Sequence, residues 1–148
     1  MRNTREARVK KPDSIHVGDF VYCRSKYYRD QLQLPQELGL VIEIKRSNLK
    51  VLYSGDKRCW LPLETVAKMK PDLSYSTLAE KLHYLIKRVH ADECEIVSDS
   101  GITRVTLRID HIDHEAVDDV RKFLAGNFIS LAVVPEGMAF MQVEIKFS

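Results

Sequence analysis

Short apolar runs alternate with turn residues in the first half of the chain, and apolar positions between residues 14 and 70 do not recur at helical spacing. In the run 38–45, Leu40, Ile42 and Ile44 share one face, which predicts a half-buried strand. This half is therefore predicted to be all β. The predicted elements are strands at 20–23, 38–45, 49–53, 57–61 and 66–69, a short helical turn at 62–64, and one long loop at 24–37.

The apolar period changes to that of a helix at Thr77, where Thr77 and Glu80 fit a capping box. A second amphipathic helix is predicted to end at Ala125, with Gly126 placed after it as a C-terminal stop. The last strands differ in pattern, because 127–134 is apolar on both faces and is predicted to be central, whereas 138–147 alternates. The predicted elements are helices at 77–89 and 114–125 and strands at 93–97, 102–109, 127–134 and 138–147. The order αββαββ predicts two helices on one face of an antiparallel sheet, a ferredoxin-like sandwich with permuted ends.

Charge divides the chain near the same point. Residues 1–70 carry 15 Lys and Arg against 8 Asp and Glu, a net charge of +7, and residues 71–148 carry 8 against 13, a net charge of −5. Pro71 disfavours a helix at Lys70, so the linker is predicted here. The 148 residues thus divide into a basic N-terminal arm at 1–13, a first domain at 14–70 and a second domain at 74–148.

The first domain carries a resemblance to a known kind of protein. Its V-G-D-F-V at 17–21, its L-G-L-V-I-E-I at 38–44 and its W-L-P-L at 60–63 resemble the small SH3-like β-barrels common among bacteriophage proteins. The resemblance covers residues 14–70 and implies a five-stranded barrel that the W-L-P-L segment closes. Barrels of this kind bind peptides, nucleic acids, modified side chains or neighbouring subunits, so the resemblance implies a fold rather than an activity.

Catalytic chemistry has little support in the sequence. No phosphate-binding glycine motif and no G-x-S-x-G occurs, so we expect no enzyme and no cofactor. The segment 110–115 holds two His and several carboxylates that a metal would accept, but Asp113 is better placed as a helix N-cap, and no metal site is predicted. Cys23, Cys59 and Cys94 are predicted to be reduced and buried.

Contacts with a partner are predicted at two groups of residues. The arm is expected to be disordered alone and to be held by an acidic protein surface or by phosphates. Tyr27 and Tyr28, in the predicted long loop, are expected to be accessible, whereas Trp60 and Tyr53 are expected in the core. The predicted contact residues are Arg2, Arg5, Arg8, Lys10 and Lys11 of the arm, and Arg24, Lys26, Tyr27, Tyr28, Arg29, Lys57 and Arg58 of the first domain.

Two functions remain open at this stage. The first is a structural or interaction protein, a minor phage virion component of the capsid, neck, tail or baseplate, with other virion proteins or further copies of itself as partners. The second is a nucleic-acid-binding module that uses the basic aromatic face of the barrel. Neither a signal peptide nor a membrane span is predicted, so the expected location is the virion or the host cytoplasm.

Overall fold

The computed structural model describes residues 14–148, so the predicted contacts of the arm lie outside the described residues. The described chain is α+β, with one five-stranded and one four-stranded antiparallel sheet and three α-helices. No helix within residues 14–148 is both long enough and apolar enough to span a membrane.

The first sheet contains the five strands that the apolar pattern predicts. They are β1 Phe20–Cys23, β2 Gly39–Lys45, β3 Asn48–Tyr53, β4 Lys57–Pro62 and β5 Val66–Met69, in the order β4-β3-β2-β1-β5. Short 3-10 helices at Ser54–Asp56 and Leu63–Thr65 connect β3 to β4 and β4 to β5. Leu63–Thr65 corresponds, one residue later, to the helical turn predicted at 62–64.

A short helix, α1 Lys26–Leu32, lies within the segment predicted to be one long loop. The Ser25 side chain caps it by accepting a hydrogen bond from the backbone N–H of Tyr28 at 3.3 Å. Tyr28 and Leu32 are one turn apart and both pack against the core. The predictions of a long loop and of an all-β first half are therefore wrong.

Strand β2 is buried on both faces near its start. Leu40, Val41 and Ile42 are all fully buried, and a β-bulge follows between Val41 and Glu43. The half-buried prediction is wrong for this part of the strand because α2 (Leu78–Val89) and β6 (Glu93–Asp99) of the second half contact β2.

The second half follows the predicted order αββαββ. After α2 and β6 come β7 Ile102–Ile109, α3 His114–Leu124, β8 Phe128–Glu136 and β9 Phe140–Phe147, and the sheet order is β6-β7-β9-β8. The capping box of Thr77 and Glu80 is confirmed. Asp113 is confirmed as an N-cap, since its side chain accepts the backbone N–H of Ala116 at 2.7 Å.

Two details of the second half differ from the prediction. Helix α3 ends at Leu124, one residue before the predicted end, and the residue of positive φ that follows it is Ala125, at 47°, and not Gly126. Strand β8 lies at the edge of the sheet and not at its centre, because β9 folds back and inserts between β7 and β8.

Buried side chains of the two sheets form one continuous hydrophobic cluster. Polar contacts join the halves as well: Lys87 of α2 binds Asp19 at 2.6 Å, and the Nδ1 atom of His83 lies 2.6 Å from the carbonyl oxygen of Gly18. On the other side, Arg58 of β4 donates to the carbonyl oxygen of Ile96 at 2.9 Å. The division into two domains near residue 70 stays a prediction.

Candidate functional site

A groove of about 920 Å³ runs along β5 and forms the candidate site, here called the basic groove. One wall is β5 together with Lys70, and the opposite wall comes from the turn between β2 and β3. The apolar side chains that line it are Ile15, Ile44, Leu49, Leu63, Val66, Ala67 and Met69.

Four cations and no acidic residue line the basic groove, together with Ser14. They are Arg24, Arg46, Lys68 and Lys70. Lys68 shares Asp19 with Lys87, at 3.5 Å from the carboxylate. Arg24 donates to the carbonyl oxygen of Glu64 at 3.2 Å, which fixes its guanidinium beside the groove without neutralising it. The surface therefore favours a negatively charged ligand.

Strand β5 is at the edge of the first sheet, and within residues 14–148 its only strand partner is β1. An edge strand presents unpaired backbone N–H and C=O groups that an extended peptide can pair with. The basic groove thus combines an available backbone edge, an apolar floor and positive charge.

Arg46 reaches the groove from a strained backbone position. Its φ is 58°, in the left-handed region that disfavours residues with a Cβ atom. Arg46 and Ser47 form the two-residue turn between Lys45 and Asn48, and tight hairpin turns of this kind require positive φ.

The described chain begins at the groove, since Ser14 and Ile15 both line it. The arm cations Arg2, Arg5, Arg8, Lys10 and Lys11 precede Ser14 by at most twelve residues in the sequence. The arm itself lies outside the described residues, so the charge of the groove is that of Arg24, Arg46, Lys68 and Lys70.

The predicted contact residues of the first half fall into two separate places. Lys26, Tyr27, Tyr28 and Arg29 lie together on α1, next to Arg24 in the sequence. Tyr27 is 65% exposed and packs edge to face on the half-buried Tyr28, with ring centroids 5.2 Å apart. Two of the four are already engaged within the fold, because Arg29 donates to the carbonyl oxygen of Cys23 and Lys26 pairs with Asp30.

Lys57 and Arg58 lie elsewhere, at the start of β4, opposite Tyr53 and Leu52 of β3. The guanidinium of Arg58 binds Asp56 at 2.8 Å as well as the carbonyl oxygen of Ile96. Arg58 thus holds the two halves of the molecule together, and the structure does not bring it to the basic groove.

Trp60 and Tyr53 were both expected in the core, and only Tyr53 is buried there. Trp60 is 42% exposed, so that prediction is wrong. Its ring lies on the outer face of β4, and the ammonium groups of Lys45 and Lys50 lie 5.9 and 6.0 Å from the ring centroid. Its neighbour Leu61 takes the inward position, as strand alternation requires.

The residues that sequence reasoning missed are Arg46, Lys68 and Lys70 and the apolar floor. The excess of cations before residue 70 indicated their charge, but not their proximity, because Arg46 comes from the β2–β3 turn and Lys68 and Lys70 come from β5 and the residue after it.

A second cavity, of about 430 Å³, lies between the first sheet and the start of α2. Two of the carboxylates that line it are used within the fold: Glu37 accepts from Ser54, and Glu80 closes the capping box of α2. This cavity therefore presents less free charge than its composition implies.

The titratable groups do not form a reactive cluster within the described residues, where no three metal-ligating side chains lie together. The three cysteines are free, Cys23 and Cys94 are buried as predicted, and Cys59 is only half-buried. Burial raises the pKa of the Cys94 thiol to about 12, which keeps it protonated and unreactive.

Comparisons of the chain with models of protein families, with curated proteins and with solved structures found no match.

Proposed function

We propose that the protein is a non-catalytic interaction protein that binds an acidic, partly apolar segment of another protein in the basic groove. The observation that carries the proposal is a groove lined by four cations and no acidic residue, over an apolar floor. Acidic side chains of the bound segment would contact Arg24, Arg46 and Lys70, and apolar ones the floor.

The unpaired edge of β5 sets the binding mode. A bound segment in extended conformation adds a strand next to β5, so that backbone hydrogen bonds provide affinity and alternate side chains provide specificity. The arm, with its five cations, increases the attraction for the same acidic partner.

The proposed setting is a phage virion, in which the protein is a minor subunit of the capsid, neck, tail or baseplate. We propose that the first half is an SH3-like barrel, supported by the order β4-β3-β2-β1-β5 and by the 3-10 helix before β5. We also propose that the second half is a permuted ferredoxin-like sandwich, supported by the order β6-β7-β9-β8 in an αββαββ chain.

Photo-crosslinking from the groove tests the function directly. Met69 is 46% exposed and lines the groove, so a photo-reactive phenylalanine analogue at this position should crosslink to a bound segment. We expect the protein, purified from the organism that encodes it and treated with nuclease, to crosslink through this residue to an acidic segment of one protein. The matched control carries the analogue at Glu95, which is exposed on the second sheet and far along the chain from the groove.

Charge reversal then identifies the cations that bind. Arg46→Glu combined with Lys70→Glu should reduce crosslinking from Met69 roughly tenfold or more, because two favourable ion pairs become repulsive. Lys122→Glu makes the same kind of change on the exposed surface of α3 and should leave crosslinking unchanged. Equal crosslinking in all three proteins, or crosslinking from Glu95 as strong as from Met69, would contradict the proposal.

Nucleic-acid binding is the second candidate, and the observation that favours it is Trp60. An exposed indole with two ammonium groups beside it suits the stacking of a base, with the cations within reach of phosphates. Trp60 is the only tryptophan of the chain, so its fluorescence reports on that surface alone. Quenching by an oligothymidylate that disappears steeply with added salt would favour this candidate, and no quenching at low salt would exclude base stacking on Trp60.

A further inference from the structure

Strand β8 is an edge strand with the composition of a buried one. Its nine residues, Phe128–Glu136, include no charged side chain before Glu136. Ile129, Val133 and Val134 are 47%, 40% and 50% exposed. Within residues 14–148 its only strand partner is β9, so its outer backbone edge is available for pairing.

The opposite edge of the same sheet is protected, which shows that the exposure of β8 is not a general property of this sheet. Strand β6 carries Glu93, Glu95 and Asp99, and Arg58 from the first sheet donates to the carbonyl oxygen of Ile96. Charged side chains and covering groups are the usual means by which proteins prevent pairing between exposed edges. Strand β8 has neither from Phe128 to Val134, and its edge-blunting residue, Pro135, stands near its end.

We propose that β8 is a dimerisation strand that pairs antiparallel with β8 of a second copy, so that two four-stranded sheets join into one of eight strands. The contact is isologous, with the two-fold axis at Ala132. This inference does not depend on the basic groove, which lies in the other sheet.

The sequence of β8 is complementary to itself in this arrangement. With Ala132 opposite its own equivalent, Leu131 faces Val133 of the second copy, and Ser130 faces Val134 of the second copy. Aliphatic cross-strand pairs of this kind stabilise sheets. The small residues Ser130 and Ala132 occupy the other face near the axis, so no bulky or charged group opposes another there.

No charged group opposes pairing around Ala132. Arg121, whose guanidinium lies 5.8 Å from the ring centroid of Phe128, and Glu136, which lies beside Arg108 at 3.8 Å, stand at the two ends of β8. Phe128 also lies beyond the register shift that β8 makes against β9 between Phe128 and Ser130, so the proposed pairing concerns the regular part of the strand from Ser130 onward.

A charge-exchange experiment at the axis tests the register and the partner together. The full chain should sediment as a dimer, and Ala132→Lys and Ala132→Glu should each raise the dimer dissociation constant at least about tenfold, since like charges then face each other. A 1:1 mixture of the two variants should dimerise again, because Lys then faces Glu. Ser98→Lys, which places a lysine on the protected strand β6, should dimerise like the unmodified chain.

Three outcomes would overturn the proposal. The unmodified chain could be monomeric at the highest concentration tested, both charged variants could remain dimeric, or the mixture could fail to recover. Deletion of residues 2–12 tests whether the arm, and not β8, makes the contact between the two copies. Loss of the dimer in that variant would show that it does. Circular dichroism of each variant verifies that it is folded, and Arg46→Glu combined with Lys70→Glu should leave the dimer intact, which distinguishes failure here from failure of the groove proposal.

Discussion

Tyr53 carries a buried hydroxyl group that has no hydrogen-bond partner among the described residues. Burial raises the pKa of this phenol far above its usual value, so the group stays neutral but remains unsatisfied. Tyr53→Phe removes the polar atom and keeps the ring, and should raise the free energy of unfolding by about 1 kcal/mol. Urea denaturation at neutral pH measures this difference.

Tyr27→Phe is the matched control for this prediction, because Tyr27 is 65% exposed and its hydroxyl is hydrated in both states. It should change the free energy of unfolding by less than about 0.5 kcal/mol. A loss of stability in Tyr53→Phe would mean that the hydroxyl has a partner in solution, and the prediction would be wrong.

Residue type alone did not determine which aromatic side chains are buried. Tyr53 and Trp60 were both assigned to the core because large rings are costly to expose, yet they occupy opposite environments. Strand register decides between them: Trp60 pairs with Lys50 on the outer face, whereas the adjacent pair of Leu49 and Leu61 points inward. That register depends on the β3–β4 connection, whose conformation the apolar pattern does not specify.

Among the elements, those with a strong period could be predicted and those with a weak one could not. Helices α2 and α3 have clear apolar faces and side-chain caps, and both begin within a residue of the predicted position. Helix α1 has seven residues and no fully buried side chain, so its sequence contains no apolar stripe that would predict a helix. Ser25, which caps it, was the only local signal.

Strand β8 shows a different limit of sequence patterns. A strand that is apolar on both faces is typical of one whose two faces are shielded from water. The run 127–134 was therefore predicted to lie at the centre of the sheet of one molecule. The structure places the strand at the edge, where much of it is exposed. A second copy would reconcile the two, because pairing through β8 would make the strand interior to the joined sheet.

Of the candidate site, the sequence predicted the sign of its charge and one residue, Arg24. The excess of cations before residue 70 indicated an anionic partner, but the residues that form the basic groove come from the first described residues, the β2–β3 turn and β5. Their proximity depends on which strands become neighbours, and that is a property of the whole sheet.

At the scale of the whole molecule, the oppositely charged halves meet at Asp19. This carboxylate is 5% exposed, accepts the backbone N–H of His16 at 2.8 Å, and binds Lys87 of the second half at 2.6 Å. Burial alone would raise the pKa of Asp19, but the hydrogen bonds from Lys87 and His16 and the charges of Lys87 and Lys68 outweigh burial and lower it. The ion pair thus links the two sheets in the ionised form of Asp19.

Asp19→Asn should lower the free energy of unfolding by about 2 kcal/mol at neutral pH, since it removes charge-assisted hydrogen bonds from a buried site. The difference should shrink on acidification. The pKa of Asp19 is lower in the folded state than its usual value of 3.8. Below about pH 5 the unfolded chain therefore takes up the proton first, and the unmodified protein loses stability. Asp19→Asn lacks this carboxylate and does not show the loss. Urea denaturation of both proteins between pH 7 and pH 2.5 measures the two curves.

The control for this effect is Asp30→Asn, which breaks an exposed ion pair with Lys26 within α1 and should have a much smaller effect at pH 7. Parallel curves for the unmodified protein and Asp19→Asn at every pH would show that the carboxylate contributes through its shape and not through its charge.

Lys87→Met tests the coupling of the two residues. It should cost less stability in the Asp19→Asn background than alone, because the partner that orients Lys87 is then absent. Equal costs in the two backgrounds would mean that the ion pair does not couple the halves of the molecule.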